Sequence, residues 1–356
     1  MLFCSWNASI PIDHWRKPNY TETRNHFGVT LNTTKDAPKG EEVQTADEKG
    51  LNFKIKQLCE LKSGQNVFFI VMEWLVIFTT AFICQKFFNP FLYVFAVVLI
   101  GSRFQALGVL MHDAVHYRLF KSRVLNEVIG ELLAWPLTLT MQGYRNTHLA
   151  HHQNLNTIED PDFNEWDKYY QFPKTKLQMF STLVQMATGI GLIYDMIQST
   201  FVHREQMEME TNVPLKLTVF QFSFYAVIAT LSIVFSFWHL LLLYWLVPLV
   251  TATKFFDYLR GVAEHYAVKS THKLNSTRNI FGWDCHIVGP YNICVHLAHH
   301  LYPGVPWYNL HKLHAVLMED PEYRDNSLNV HGYAQVIRDC TNPAIPPIKR
   351  QSVAYK

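Results

Sequence analysis

The chain has 356 residues, 49% of them hydrophobic and 14% aromatic, with a formal net charge of +2. That is room for one large domain or two ordinary ones, and it is more apolar than a soluble protein usually is. The balanced charge, with no long basic run, argues against nucleic acid as a partner, and six cysteines at positions 4, 59, 84, 285, 294 and 340, with no CxxC among them, argue against a disulfide framework.

Residues 1–50 are polar and proline-bearing and read as a flexible N-terminal tail, most plainly from Thr33 to Lys49. The first fifteen residues lack a basic stretch followed by an apolar core, so no cleavable signal peptide is expected and the first spanning helix should serve as the insertion signal. Leu51 to Leu61 is short and amphipathic, as suits a segment on a membrane surface.

Residues 51–325 read as one membrane domain. Two apolar runs, Val67 to Cys84, broken only by Glu73 and two threonines, and Pro90 to Met111, broken by Arg103 and Gln105, are expected to give spans at about 67–86 and 90–111. Leu125 to Met141 is apolar enough to tempt a span but contains Glu127, Glu131 and Pro136. If histidines on both sides of it serve one metal site, an even number of crossings must separate them; a single candidate lies between, so it is expected to be re-entrant or interfacial. Leu177 to Val202, with Asp195 and Gln198, is expected to lie along the interface as well.

Two further runs, about 217–237 and 238–256, meet near Ser236 at a junction too short for a soluble loop. Four runs of this length exceed what one core of this size usually hides, so buried soluble helices are the weaker alternative. Lys and Arg are plentiful before residue 66 and after Phe256 while the hairpin turns offer only Lys86, which puts both termini on the cytoplasmic side. The sequons at Asn7, Asn19, Asn32 and Asn275 do not change that assignment, because such triplets are common by chance. The expected fold is an all-α membrane protein of two transmembrane helical hairpins, four spans in all, with a cytoplasmic helical cap holding a histidine-rich di-metal site; residues 326–356 read as a C-terminal tail.

The pentapeptide HLAHH occurs twice, at His148–His152 and His296–His300, and HDAVH places His112 and His116 upstream. On a helix, positions i, i+3 and i+4 share a face, so each block directs its imidazoles one way. Neutral imidazole suits iron, zinc and copper alike. Eight, however, overfill a zinc site of three or four ligands and can serve two ions. His265 follows the fourth apolar run closely.

HDAVH, HLAHH and HLAHH in this order, with a hydrophobic hairpin between the second and third, resemble the membrane fatty acid desaturase and hydroxylase superfamily over roughly residues 65 to 320. The stretches Glu159 to Asp162, Arg260 to His265, and His299 through Leu310 add to the likeness. The resemblance implies that His112, His116, His148, His151, His152, His296, His299 and His300 are ligands of a di-iron centre, with His265 as the ninth, and that no catalytic side chain beyond the ligands is needed. Asp113, Asp160, Asp162 and Glu264 are expected behind the ligands, holding the imidazole N–H groups opposite the metal.

Some desaturases carry Asn four residues before a ligand histidine; Gly261 stands there before His265, and Asn292 before His296. His311 and His314 read as a surface helix, and His14, His26, His203, His239, His272, His286 and His331 as solitary histidines. The implied reaction is O2-dependent desaturation of a long fatty acyl chain, with O2 as co-substrate and two iron ions. Electrons would come from a separate ferredoxin or cytochrome b5, since neither a GxGxxG after a strand nor a His-Pro-Gly-Gly haem motif is present. The implied location is the endoplasmic reticulum in a eukaryote or the inner membrane in a bacterium. Two alternatives stay open: a hydroxylase or ketolase of a carotenoid or other hydrocarbon lipid on the same fold, and a zinc-binding membrane receptor or lipid hydrolase.

Overall fold

A computed structural model describes residues 20–24, 30–33, 46–162, 168–201, 204–268 and 270–348. Within the expected N-terminal tail these include an antiparallel pair, β1 (Tyr20–Arg24) and β2 (Thr30–Thr33), and the start of α1 (Ala46–Leu58); the rest of the tail, with His14 and His26, lies outside the described residues, as does His203. Residues 59–355 form a separate unit, which holds everything that follows.

Among the described residues, four helices are long and apolar enough to cross a membrane. The first hairpin is α2 (Ser63–Lys86) and α3 (Pro90–Val115). Asn89 opens α3 by accepting the Leu92 amide proton on its side chain, and Pro90 takes the first helical position, where its missing N–H costs nothing. The second hairpin is α9 (Leu215–Val234) and a composite helix, Trp238–His265, with the chain turning at Ser236 (φ 58°). The composite contains α10 (Trp238–Leu241), two π-helical stretches at Leu242–Leu246 and Leu249–Thr253, and α11 (Lys254–His265). It therefore outruns the span expected to end at 256, because Tyr258, Leu259, Val262 and Ala263 continue a buried apolar face.

In α3, 61% of the apolar window is buried, against 17% in α2 and 11% in α9. So α3 is the inner helix, while Phe78, Phe82, Phe220 and Phe222 face outward as lipid-facing side chains do. The hairpins cross closely at Gly101: a Cβ there would lie 2.5 Å from that of Ala252, and Thr253 donates its hydroxyl to the Gly101 carbonyl.

The segment between the first two histidine blocks holds no helix of membrane-spanning length. It is α4 (Arg123–Ala134), capped by Ser122, then a 3-10 turn at Trp135–Leu137 and α5 (Met141–Asn154). The Leu177 to Val202 stretch is likewise two short helices, α6 (Lys176–Ala187) and α7 (Ile190–Phe201), broken at Gly189 (φ 79°), with Leu177, Phe180, Ile190 and Ile193 outward. After α8 (Arg204–Thr211) and the second hairpin come β3 (Asn279–Phe281), α12 (Cys285–Val288), α13 (His296–Leu301), α14 (Leu310–Leu317), α15 (Pro321–Asn326), β4 (Asn329–His331) and α16 (Gly332–Cys340).

This corrects the expected tail from 326 onward. β4 pairs in parallel with β3, Val330 opposite Ile280, and α16 buries Tyr333, Val336 and Cys340 in the core that also holds Val262 and Ile280. Three anchors at i, i+3 and i+7 are enough to dock a nine-residue helix.

Candidate metal centre

α5 is fixed through its N-terminal half. Glu131 of α4 accepts the Met141 and Gln142 amide protons and the Trp135 indole N–H, a carboxylate at the positive end of the helix. Arg145 donates to the Val115 and Ala114 carbonyls in the last turn of α3 and, at 2.9 and 3.0 Å, to Glu127. The two acidic residues that bar α4 from spanning thus aim the second histidine block at the first. α13 is held by Asn279, whose side chain accepts the Ala298 amide proton and donates to Tyr323 and Asn329. The fully buried Arg278 donates to the Tyr266 and Ala267 carbonyls just past His265, and pairs with Asp339.

All nine predicted histidines converge, and they divide in two. The ring nitrogens of His112, His116, His148, His152 and His299 lie within 4.8 Å of one another. Those of His151, His265 and His300 form a second set, and His296 joins it through His265 and Glu264. Nε2 atoms face each other at 2.9 Å (His116 and His148), 3.2 Å (His152 and His299), 3.0 Å (His265 and His296) and 3.0 Å (His296 and His300). The sets adjoin where the His152 and His300 rings stack at 4.1 Å.

These spacings test the fit to metal. Two imidazole nitrogens at right angles about an ion, each about 2.1 Å from it, would be about 3.0 Å apart. Among the described residues His112 Nε2 and His151 Nε2 are buried without a hydrogen-bond partner, which is costly unless an ion takes the lone pair. Burial holds His116 at about 3 and His148, His152, His296, His299 and His300 well below the usual histidine value, so these rings are neutral and free to coordinate. Burial opposes charge on His151 too, but Asp160, then Asp162 and Glu264, outweigh it and raise it to about 9.

Of the four carboxylates expected behind the ligands, Asp160 takes that place: Oδ1 accepts from His151 Nδ1 at 2.8 Å while Oδ2 accepts the Asn156 amide proton. Asp162 stops 3.9 Å from the same nitrogen. Asp113 does not bond an imidazole; Oδ1 lies 3.9 Å from His112 Nδ1, and Oδ2 accepts the Trp307 amide proton, tying the first block to the loop after the third. Glu264, bound by Arg260 at 2.9 and 3.2 Å, lies 3.6 Å from His296 Nε2, beside the inward nitrogen instead of behind the ring.

Tyr144 is absent from the sequence-based set, although its place four residues before His148 was a usable signal. Its ring stacks on His148 at 13° and its hydroxyl is 3.4 Å from Nδ1. His314 joins neither set and pairs with Tyr323, and Asn292 donates to the Trp307 carbonyl.

Comparison with known proteins agrees with this arrangement. A model of the fatty acid desaturase family matches residues 88–332. The dihydrorhizobitoxine desaturase of Bradyrhizobium elkanii is 30% identical over 285 residues, 75% of this chain and 80% of its own. The sn-1 oleoyl-lipid 12-desaturase of Synechocystis sp. is 25% identical over 260 residues, 67% of this chain and 73% of its own. The sn-1 acyl-lipid omega-3 desaturase (ferredoxin) of Nostoc sp. is 23% identical over 237 residues, 60% and 63%. With four membrane-length helices and a converged histidine cluster among the described residues, and this match across most of its length, the chain belongs to the fatty acid desaturase family and is a desaturase-type membrane oxidoreductase.

Proposed function

We propose that the nine histidines hold two irons and that the enzyme uses O2 to place a double bond in a long fatty acyl chain. What carries this is the pair of histidine sets with inward nitrogens about 3 Å apart, two of them buried without partners. Iron bound there supplies the O2 activation that removal of hydrogen from an unactivated methylene needs. The balance is one substrate –CH2–CH2– unit, O2, two electrons and two protons giving –CH=CH– and two waters.

The chain's own part is positional. Asp160 keeps the His151 proton on Nδ1, so the Nε2 lone pair faces inward. Burial keeps His148, His296 and His299 neutral. The Lys and Arg distribution supports a cytoplasmic centre, and ferredoxin, for which the Nostoc relative is named, is the electron donor to try before cytochrome b5.

Elemental analysis of detergent-purified protein, with dithionite-dependent O2 uptake, tests the metal; lipid profiling of expressing cells tests the product. Two irons per chain, uptake and a new acyl double bond are expected. A single zinc without uptake would move the chain to the receptor or hydrolase alternative, and an oxygenated pigment to the hydroxylase or ketolase. The Bradyrhizobium relative favours offering dihydrorhizobitoxine as a second substrate in the same assay.

A further inference from the structure

We infer that Gly261 keeps open the space beside His265 in which the reacting stretch of the substrate lies, and so limits how bulky that stretch can be. This rests on the desaturase reading above. On α11 the residue four before His265 lies one turn away on the same face as that ring, and it is Gly261.

Glycine inside a helix is destabilising relative to alanine, so each such position calls for a reason. At three buried glycines elsewhere in the helical core a close neighbour supplies it. A Cβ would lie 2.5 Å from Ala252 Cβ at Gly101, 2.1 Å from Met141 Sδ at Gly130 and 2.1 Å from the Glu210 carbonyl oxygen at Gly143. At Gly261 a Cβ would meet nothing within 4 Å. Yet the site is half-buried, and Val262, Ala263 and Glu264 beside it are buried. Packing therefore does not demand glycine there, and the residue leaves free volume within one helical turn of a ring in the second histidine set.

Removing hydrogen from two adjacent methylenes requires a slot of hydrocarbon width at the edge of the centre. A bare helix face gives that width, and each carbon added at 261 takes some of it away.

The test is a series, Gly261→Ala, Gly261→Val and Gly261→Leu, in the full-length protein in detergent or membranes. Bound iron, binding of doxyl-stearic acid by electron paramagnetic resonance, and product from C16 and C18 acyl donors are read for each. Iron should stay constant while label binding and kcat/KM fall stepwise, by less than about 10-fold for Ala and on the order of 100-fold for Leu. A Leu variant that binds the label and turns over like the parent overturns the inference. Should Leu lose iron, the Val variant decides, and unchanged binding and product in an iron-retaining Val protein overturns it equally. If the parent itself holds no iron or forms no product, the desaturase reading is what fails; label binding across the series still decides whether the space is used.

Discussion

The two histidine sets are made of one residue type on shared helices, yet their charge surroundings differ. In the first, His112, His116, His148, His152 and His299 are bordered by other imidazoles and by Tyr144, and the closest acid to His112, Asp113, stops 3.9 Å away. In the second, Asp160 is bonded to the outer nitrogen of His151 and Glu264 lies beside the inner nitrogen of His296. Helical spacing decides where rings can go; the carboxylates decide how much positive charge each place can hold. The second set should therefore keep its ion longer under chelation.

The largest effects come from removing a ring. His299→Ala, in the first set, and His296→Ala, in the second, should each lower product formation by more than about 100-fold, exceeding the 10–100-fold typical of losing a partner behind a ligand. Each variant should retain about one iron per chain by elemental analysis, because the other set stays complete. Loss of both ions from either variant would show that the sets do not load independently.

Next, Asp160→Asn should weaken metal binding by about 10–100-fold at the second set, read as iron retained against a graded chelator. Asp113→Ala offers the contrast. It leaves the buried Trp307 amide unpaired, so it should cost about 1–3 kcal/mol of stability and lower the thermal midpoint while iron content holds. Equal iron loss in both variants would erase the difference between the two aspartates.

Much of this was legible in the sequence. The repeated HLAHH and the HDAVH spacing mark eight ring positions, and apolar length marks the four spans. Parity kept α4 out of the count, and the Glu127 and Glu131 that argued for its burial do find partners in Tyr117, Arg145 and the start of α5. The partition was not legible. One HLAHH gives His148 and His152 to the first set and His151 to the second, whereas the other gives His299 to the first and His296 and His300 to the second. Neighbours on a helix point about 100° apart, so which ring meets which ion depends on how four helices dock. Asp113 shows the same limit, since residues i and i+1 do not face each other on a helix. The folded segment after 325 is hidden because its three apolar anchors are spread through a polar stretch too short to stand out in composition.

The charge contrast also has a pH signature in metal-free protein. His116 is held at about 3 and five neighbours well below 6.5 by burial. Below pH 6.5 the unfolded chain takes up protons that the folded one refuses, so this contribution is full above about 6.5 and lost as the pH falls. His151, raised to about 9, runs the other way: its stabilisation is full below about 6.5 and gone as the pH rises past 9. Urea midpoints of chelated protein should fall steadily from pH 7 to 5. Asp160→Asn should flatten the dependence between 6.5 and 9 and leave the acid limb in place.

The smallest effect sharpens the comparison most. His148 turns Nε2 toward His116, so its outer Nδ1 has Tyr144 where His151 has Asp160. Burial pushes the Tyr144 hydroxyl up and keeps it protonated, so it meets Nδ1–H as a neutral acceptor, and at 3.4 Å a long one. A neutral hydrogen bond is about half as strong as one to a carboxylate, and Tyr144→Phe retains the ring that stacks on His148. Tyr144→Phe should weaken iron retention at the first set only about 2- to 5-fold, well short of Asp160→Asn at the second. Tyr144→Ala, which gives up the stacking too, should lie between them. If Tyr144→Phe and Asp160→Asn cost the same, the charge behind the ring is irrelevant and orientation alone matters; the two sets would then be equivalent despite their different carboxylates.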